Sequence, residues 1–244
     1  MIVASAQTKP SQGVIHENLE NHIELIKLAA QNNAQLILFP ELSLTSYVRE
    51  EAKSLSISIY DEVINQLRQY AMDYNISIVA GAPVYSENGL HIGSFIITPE
   101  GGVDIYTKQY LHEGEDLFYK PSFSHNPVLY IGDYKSQFAI CADLENPDHI
   151  LAAKTNKAKL YLAGIFYTPQ SMDGLHKKMA QYSKKHQINI LISNFVGESY
   201  GFPAGGRSAF WNDRGEKVAE LDSERSGILL MDIEEGIQSK ELYL

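Results

Sequence analysis

The chain has one cysteine, Cys141, one tryptophan, and fewer basic than acidic side chains: 20 lysines and arginines against 30 aspartates and glutamates. A lone cysteine excludes an internal disulfide and a thiolate metal cluster. The eight histidines show no His-x-x-x-His spacing, so neither a structural zinc site nor any other cofactor is expected. The net charge of −10 argues against nucleic acid or an anionic membrane as the main partner, since both select basic patches. No apolar run approaches the roughly 20 residues needed to span a bilayer. The opening segment Met1 to Gln7 lacks the basic and long apolar regions of a secretory signal. With no disulfide to form, the expected home is the reducing cytoplasm.

What is present is ample core material, 44% hydrophobic residues in 244. No low-complexity linker splits the chain, so residues 1–244 read as one domain, with roughly the last 15 residues as a tail or short helix. Strands are expected at Ile2 to Gln7, Gln35 to Phe39, Ile76 to Ala82, Leu160 to Ile165, Ile190 to Val196 and Gly227 to Ile233. Amphipathic helices fit 16–33, 60–74 and 173–187. A further helix begins at Asn146-Pro147-Asp148, with asparagine as N-cap and proline at the first helical position. Hairpin pairs are expected at Ile92 to Thr98 with Val103 to Thr107, at Val128 to Ile131 with Lys135 to Ile140, and at Arg207 to Trp211 with Lys217 to Leu221. Helix–strand units mixed with hairpins indicate a mixed α/β layered fold.

Three chemically distinct residues stand at the ends of apolar strands: Glu41, Lys108 and Cys141. A strand end can hold a reactive atom rigidly and still expose it. A base, a cation and a thiol in equivalent positions make a single site if their strands are neighbours. Taken alone each has a plainer explanation. Free cysteine commonly packs as a small apolar group, and Glu41 and Lys108 suit a solvated turn and an edge strand.

The three segments together say more. Phe39-Pro40-Glu41-Leu42-Ser43-Leu44-Thr45-Ser46-Tyr47, Tyr106-Thr107-Lys108-Gln109-Tyr110-Leu111 and Ile140-Cys141-Ala142-Asp143 resemble, in order, the signature blocks of the nitrilase, or carbon–nitrogen hydrolase, superfamily. Ser193 to Gly197 and Gly206 to Ala209 are similar to its C-terminal half. The resemblance implies a four-layer α-β-β-α sandwich, a Glu41-Lys108-Cys141 triad, and pairing of two copies through outer helices as a homodimer or higher homo-oligomer. It also implies a second glutamate after the lysine. Glu115, which follows Gly114, fits that pattern best, with Glu113 as the alternative. In such a site Glu41 serves as general base, Lys108 and the Ala142 N–H stabilise an oxyanion, and Cys141 carries a thioester.

The sequence departs from the family pattern after the nucleophile, where Ala142 and Glu145 replace an aromatic and a basic position. Glu145 either favours a substrate amino group or caps the helix that follows. Tyr47, Tyr110, Phe166 and Tyr167 are candidates to reach the pocket from nearby loops, and Ala142 and Glu113 complete the expected substrate-binding set. His112 and His149 are conceivable Cys-His partners, but no spacing selects either. The expected activity is an amidase acting on a small-molecule amide. A deamidating ω-amidase-type activity and an N-carbamoyl hydrolase are both open within that reading, and a nitrilase and a silent dimeric binding module are its rivals.

Overall fold

The computed structural model describes residues 1–234 and 239–244. In chain order the elements are β1 (Ile2–Gln7), α1 (Ile15–Gln31), β2 (Ala34–Leu38), α2 (Glu62–Tyr74), β3 (Ser77–Ser86), β4 (Gly89–Ile97) and β5 (Val103–Thr107). Then come β6 (Leu129–Ile131), β7 (Tyr134–Ile140), α3 (Pro147–Thr155), β8 (Leu160–Gly164), α4 (Pro169–His186) and β9 (Asn189–Ser193). The last third holds β10 (Glu198–Ser199), β11 (Phe202–Pro203), β12 (Ala209–Trp211), β13 (Lys217–Glu220), β14 (Gly227–Asp232) and β15 (Ser239–Tyr243).

These strands form two large sheets, ordered β15-β14-β1-β2-β3-β4-β5 and β13-β12-β9-β8-β7-β6. In the first, β1, β2 and β3 run parallel, joined by crossovers through α1 and α2. In the second, β7, β8 and β9 do the same through α3 and α4. Hairpins extend both sheets outward.

Strand geometry sends successive side chains to opposite faces, and here both faces are covered. Leu36 and Leu38 of β2 join Phe138, Leu160 and Leu162 in the layer between the sheets. Ile37 points the other way, into the layer beneath α1 and α2 with Leu25, Ile26 and Leu67. Tyr161 and Ala163 of β8 face α3 and α4, among Ile150, Leu175 and Met179. This is the α-β-β-α sandwich, and it explains why its central strands read as unbroken apolar runs. The Ser5 hydroxyl donates to the Ile192 carbonyl at 2.7 Å, bridging the sheets at β1 and β9.

Element boundaries differ from expectation in ways with local causes. α4 begins earlier than expected because Thr168-Pro169 already sets a helical first turn. The expected C-terminal tail or short helix is instead the edge strand β15, antiparallel to β14. Its alternation holds it there, Leu242 packing toward the helix layer and Tyr243 toward the inter-sheet layer. Residues 235–238 of that stretch lie outside the described residues. The β10–β11 hairpin was not expected. Its turn, Tyr200-Gly201, has φ of 52° and 74°, the positive pair that a two-residue hairpin loop favours.

Candidate active site

Glu41 is held from both sheets at once. After β2 the chain passes Phe39 and Pro40 through a gap kept open by Gly81 of β3 and Gly164 of β8. A Cβ on Gly81 would sit 2.4 Å from the Leu42 nitrogen, and one on Gly164 would sit 2.8 Å from the Phe39 oxygen. Beneath the turn, Ser43 Oγ accepts the Gly81 N–H at 3.1 Å and pairs with His22 Nε2 at 2.9 Å. Burial lowers the His22 pKa to about 4, so its ring is a neutral strut, stacked on Phe39 at 3.9 Å.

Lys108 follows β5 directly and is wholly buried. Cys141 follows β7 with φ of 43°, a left-handed conformation that turns the chain abruptly into a short 3₁₀ segment, Cys141–Glu145. The sequence argument needed neighbouring strands, and the structure differs. β3 and β4 lie between β2 and β5, and β7 belongs to the other sheet. The three residues meet because the sheets face each other.

Their geometry is tight. Lys108 Nζ donates to Glu41 Oε1 at 2.7 Å and to Glu115 Oε1 at 2.8 Å. Glu115 also accepts the Tyr47 hydroxyl, and its Oε2 takes the His112 N–H at 2.8 Å. Burial, and secondarily the Glu41 carboxylate, push the Glu115 carboxyl up to about 9, against the pull of the His112 N–H. Glu115 thus keeps at neutral pH a proton that an ordinary carboxyl would release. Glu41 Oε2 is buried and has no hydrogen-bond partner. Burial pushes the Cys141 thiol well above its ordinary range. Glu41 and Glu115 add to the shift and Lys108 opposes it. The resting thiol is therefore protonated, with Sγ donating to the Phe166 carbonyl at 3.5 Å.

Asp143 ties the cysteine turn to the lysine loop. Its Oδ1 accepts the N–H groups of Gln109 at 3.0 Å and Tyr110 at 2.9 Å. Its Oδ2 accepts the Ile140 N–H at 2.8 Å and the Tyr106 hydroxyl at 2.7 Å. His149, one of the conceivable thiol partners, is committed elsewhere, to the hydroxyls of Tyr106 and Tyr161.

A cavity of about 360 Å³ opens over this cluster. Of the expected residues it is lined by Glu41, Cys141, Glu115, Tyr47, Ala142, Phe166 and Tyr167. Lys108 stands behind the lining. Glu113 is exposed and takes no part in it, and Tyr110 packs on Phe123 and His149 instead. Glu145 lines the cavity and does not cap α3, whose first turn is capped by the Asn146 side chain. Burial raises the Glu145 carboxyl, but Lys178 and the Tyr167 hydroxyl outweigh it and the net shift is downward. Arg49, His112, Tyr200 and Phe202 also line the cavity. The last two ride on the β10–β11 hairpin, which sequence periodicity is too short to reveal.

The sequence profile of one family, described as Carbon-nitrogen hydrolase, matches residues 2–240. The chain belongs to the carbon–nitrogen hydrolase family. Among curated relatives, a nitrilase of Pyrococcus abyssi is 27% identical over 241 residues, covering 95% of this chain and 89% of that protein. A glutamine-dependent NAD(+) synthetase of Acinetobacter baylyi is 25% identical over 228 residues, 91% of this chain but 42% of the synthetase. Among solved structures, the amidase of Nesterenkonia sp. AN1 superposes with a TM-score of 0.85 at 25% identity, covering 95% of this chain and 92% of the amidase. A cysteine-to-alanine variant of that amidase is in complex with butyramide. Other variants show acrylamide, or the acetamide moiety of fluoroacetamide, added at the active site cysteine. This carbon–nitrogen hydrolase is thus similar across nearly its whole length to an amidase with a reactive cysteine.

Proposed function

We propose that the protein hydrolyses a small amide through a thioester on Cys141, releasing ammonia or an amine. The observation that carries this reading is the unpartnered Glu41 Oε2 in the cavity that also holds Cys141. A thiol whose pKa is raised by burial cannot attack as a preformed thiolate, so it needs a base at the moment of reaction. Glu41 is anchored through Oε1 to Lys108 and has Oε2 left to take the proton.

Sγ then bonds to the amide carbon while the carbonyl π pair moves onto oxygen. The N–H of Lys108 that is not engaged with a glutamate, and the Ala142 backbone N–H, are the donors available to that oxyanion. Each good donor is worth about 3 kcal/mol in the transition state. As the tetrahedral adduct collapses, the C–N bond breaks, Glu41 returns its proton to the leaving nitrogen, and the thioester remains. Water gives a proton to Glu41 and attacks the thioester carbon. The departing thiolate recovers that proton, and the acid leaves.

The test is ammonia release by wild type and Cys141→Ala over matched amides, nitriles and N-carbamoyl compounds. Amide turnover that disappears in the alanine variant supports the proposal, and turnover that survives it excludes the covalent route. Preference for nitriles would favour a nitrilase, as in the Pyrococcus relative. A wild-type protein inert to every class would favour a silent binding module.

A further inference from the structure

Among the described residues, the acidic and basic side chains around the cavity are paired, with one exception. Lys108 is held between Glu41 and Glu115, and Glu145 is held by Lys178 and the Tyr167 hydroxyl. Arg49 lines the same cavity as Cys141 and has no carboxylate partner among the described residues. Arg214 and Arg225 each have one, and Arg207 has two. Arg68 has none either, but it lies outside the cavity and donates to the Asn65 side chain and the Ile59 carbonyl. In a chain of net charge −10, a cation left without a carboxylate is not explained by a shortage of acid.

The Arg49 side chain is nevertheless well placed. Its guanidinium lies over the rings of Tyr47, at 5.0 Å, and Tyr200, at 4.8 Å. Its Nε is buried and has no acceptor. Gly114 makes room for it, since a Cβ there would stand 3.3 Å from Arg49 Nη1. Aromatic faces hold a guanidinium plane in position and leave its N–H edge for an in-plane acceptor, the geometry that takes a carboxylate with two parallel hydrogen bonds. Because Tyr47 also donates to Glu115, the cation and the catalytic cluster share a wall.

We propose that Arg49 anchors a carboxylate on the substrate. The protein then takes amides that carry an anionic group remote from the scissile bond. At about 360 Å³ the cavity is near the small end of ligand sites, which suits a short chain between amide and carboxylate. Glu145 does not compete as an anchor for an ammonium, because Lys178 neutralises it. The inference rests on the amidase reading above and narrows its substrate.

The experiment compares kcat/KM for glutaramate and for uncharged hexanamide in wild type, Arg49→Met and Arg49→Lys. A charge-assisted pair predicts a wild-type preference for glutaramate of about 10–100-fold, carried mainly in KM. Arg49→Met should bring that ratio close to one, and Arg49→Lys should keep part of it. A wild-type ratio at or below one, or a ratio unchanged in Arg49→Met, overturns the proposal. Should Arg49→Met not fold, the wild-type and Arg49→Lys ratios decide. Calorimetric binding of glutaramate to Cys141→Ala, with and without Arg49→Met, separates this inference from the reading beneath it. Arg49-dependent binding without wild-type turnover sinks the amidase and keeps the anion subsite. Hexanamide turnover without anion preference does the reverse, and no binding at all removes the subsite.

Discussion

Gly164 of β8 stands so close to the turn that carries Glu41 that a Cβ on it would lie 3.1 Å from the Glu41 backbone nitrogen. The two residues belong to different sheets, so this contact sets the position of one sheet's carboxylate by the backbone of the other. The same Cβ would meet the Phe39 oxygen at 2.8 Å and the Pro40 carbonyl carbon at 3.1 Å, all backbone atoms that cannot rotate aside. Gly164→Ala should therefore displace Glu41. Overpacking of this kind costs about 1–3 kcal/mol, and a small misplacement of a catalytic group costs on the order of 100-fold in kcat. Urea denaturation and ammonia release measure the two effects. A folded variant with wild-type kcat would show that Gly164 does not position the carboxylate.

How much of this was legible beforehand divides along a physical line. Glu41, Lys108 and Cys141 were visible because each ends an apolar run, and a strand end is a local property of sequence. Their meeting was visible only through family resemblance, since no local pattern says which strands face each other across a sandwich. Gly81 and Gly164 illustrate the gap. Each sits inside a strand pattern, where glycine often marks a close backbone approach, but the approaching segment is distant in sequence. Of the two readings of Glu145, the helix cap fails for a related reason. The nearest backbone N–H groups were foreseeable, whereas Lys178 on α4 was not. Arg49 carried no signal in its spacing; what sets it apart is a place in the cavity lining with no carboxylate partner among the described residues, and only the fold shows that.

If the proposed mechanism holds, removing Glu41 and removing Cys141 should differ in degree. Cys141→Ala leaves no atom to carry the acyl group, and turnover should vanish. Glu41→Gln keeps the shape and an oxygen for Lys108 but loses the proton acceptor, and general-base loss is worth about 100- to 10,000-fold. Lys108 still holds Glu115 in that variant, so the fold should survive. Mass spectrometry after mixing with a slow amide checks the order of events. The expected result is an acyl adduct on Cys141 in wild type and its slow formation in Glu41→Gln. An adduct formed at wild-type rate would remove Glu41 from the attack step.

Glu115 predicts a pH dependence of stability. Its carboxyl titrates near 9 in the folded protein, far above its ordinary value, so between those limits the folded state binds more protons than the unfolded chain. Its contribution to stability is complete in acid below the ordinary carboxylate range and is lost as pH rises toward 9. The steepest slope one proton can give is about 1.4 kcal/mol per pH unit. Urea midpoints at pH 6, 7 and 8 should fall with pH in wild type and fall less in Glu115→Gln, which has no proton to lose. Equal slopes in the two proteins would mean that the cluster titrates elsewhere.

Asp143 is not part of the cavity lining, yet it ties the turn after β7 to the loop after Lys108 through the N–H groups of Gln109 and Tyr110, and it also accepts from Tyr106 of β5 and Ile140 of β7. All its protein partners here are donors, so the carboxylate suits the site and an amide does not. Asp143→Asn would turn an NH₂ group toward an N–H or hydroxyl, at a cost of about 1–3 kcal/mol for the unsatisfied contact. Asp143→Ala would leave the buried N–H groups of Gln109 and Ile140 without their acceptor and should cost more. As a positioning residue, Asp143 should act on kcat more than on KM, because the distance between Lys108 and Cys141 matters most when the oxyanion forms. Asp143→Asn with stability reduced but kcat intact would reduce it to a structural strut. A fall in kcat at a temperature where the variant is fully folded would identify the Asp143 network as what keeps the nucleophile and the lysine in register.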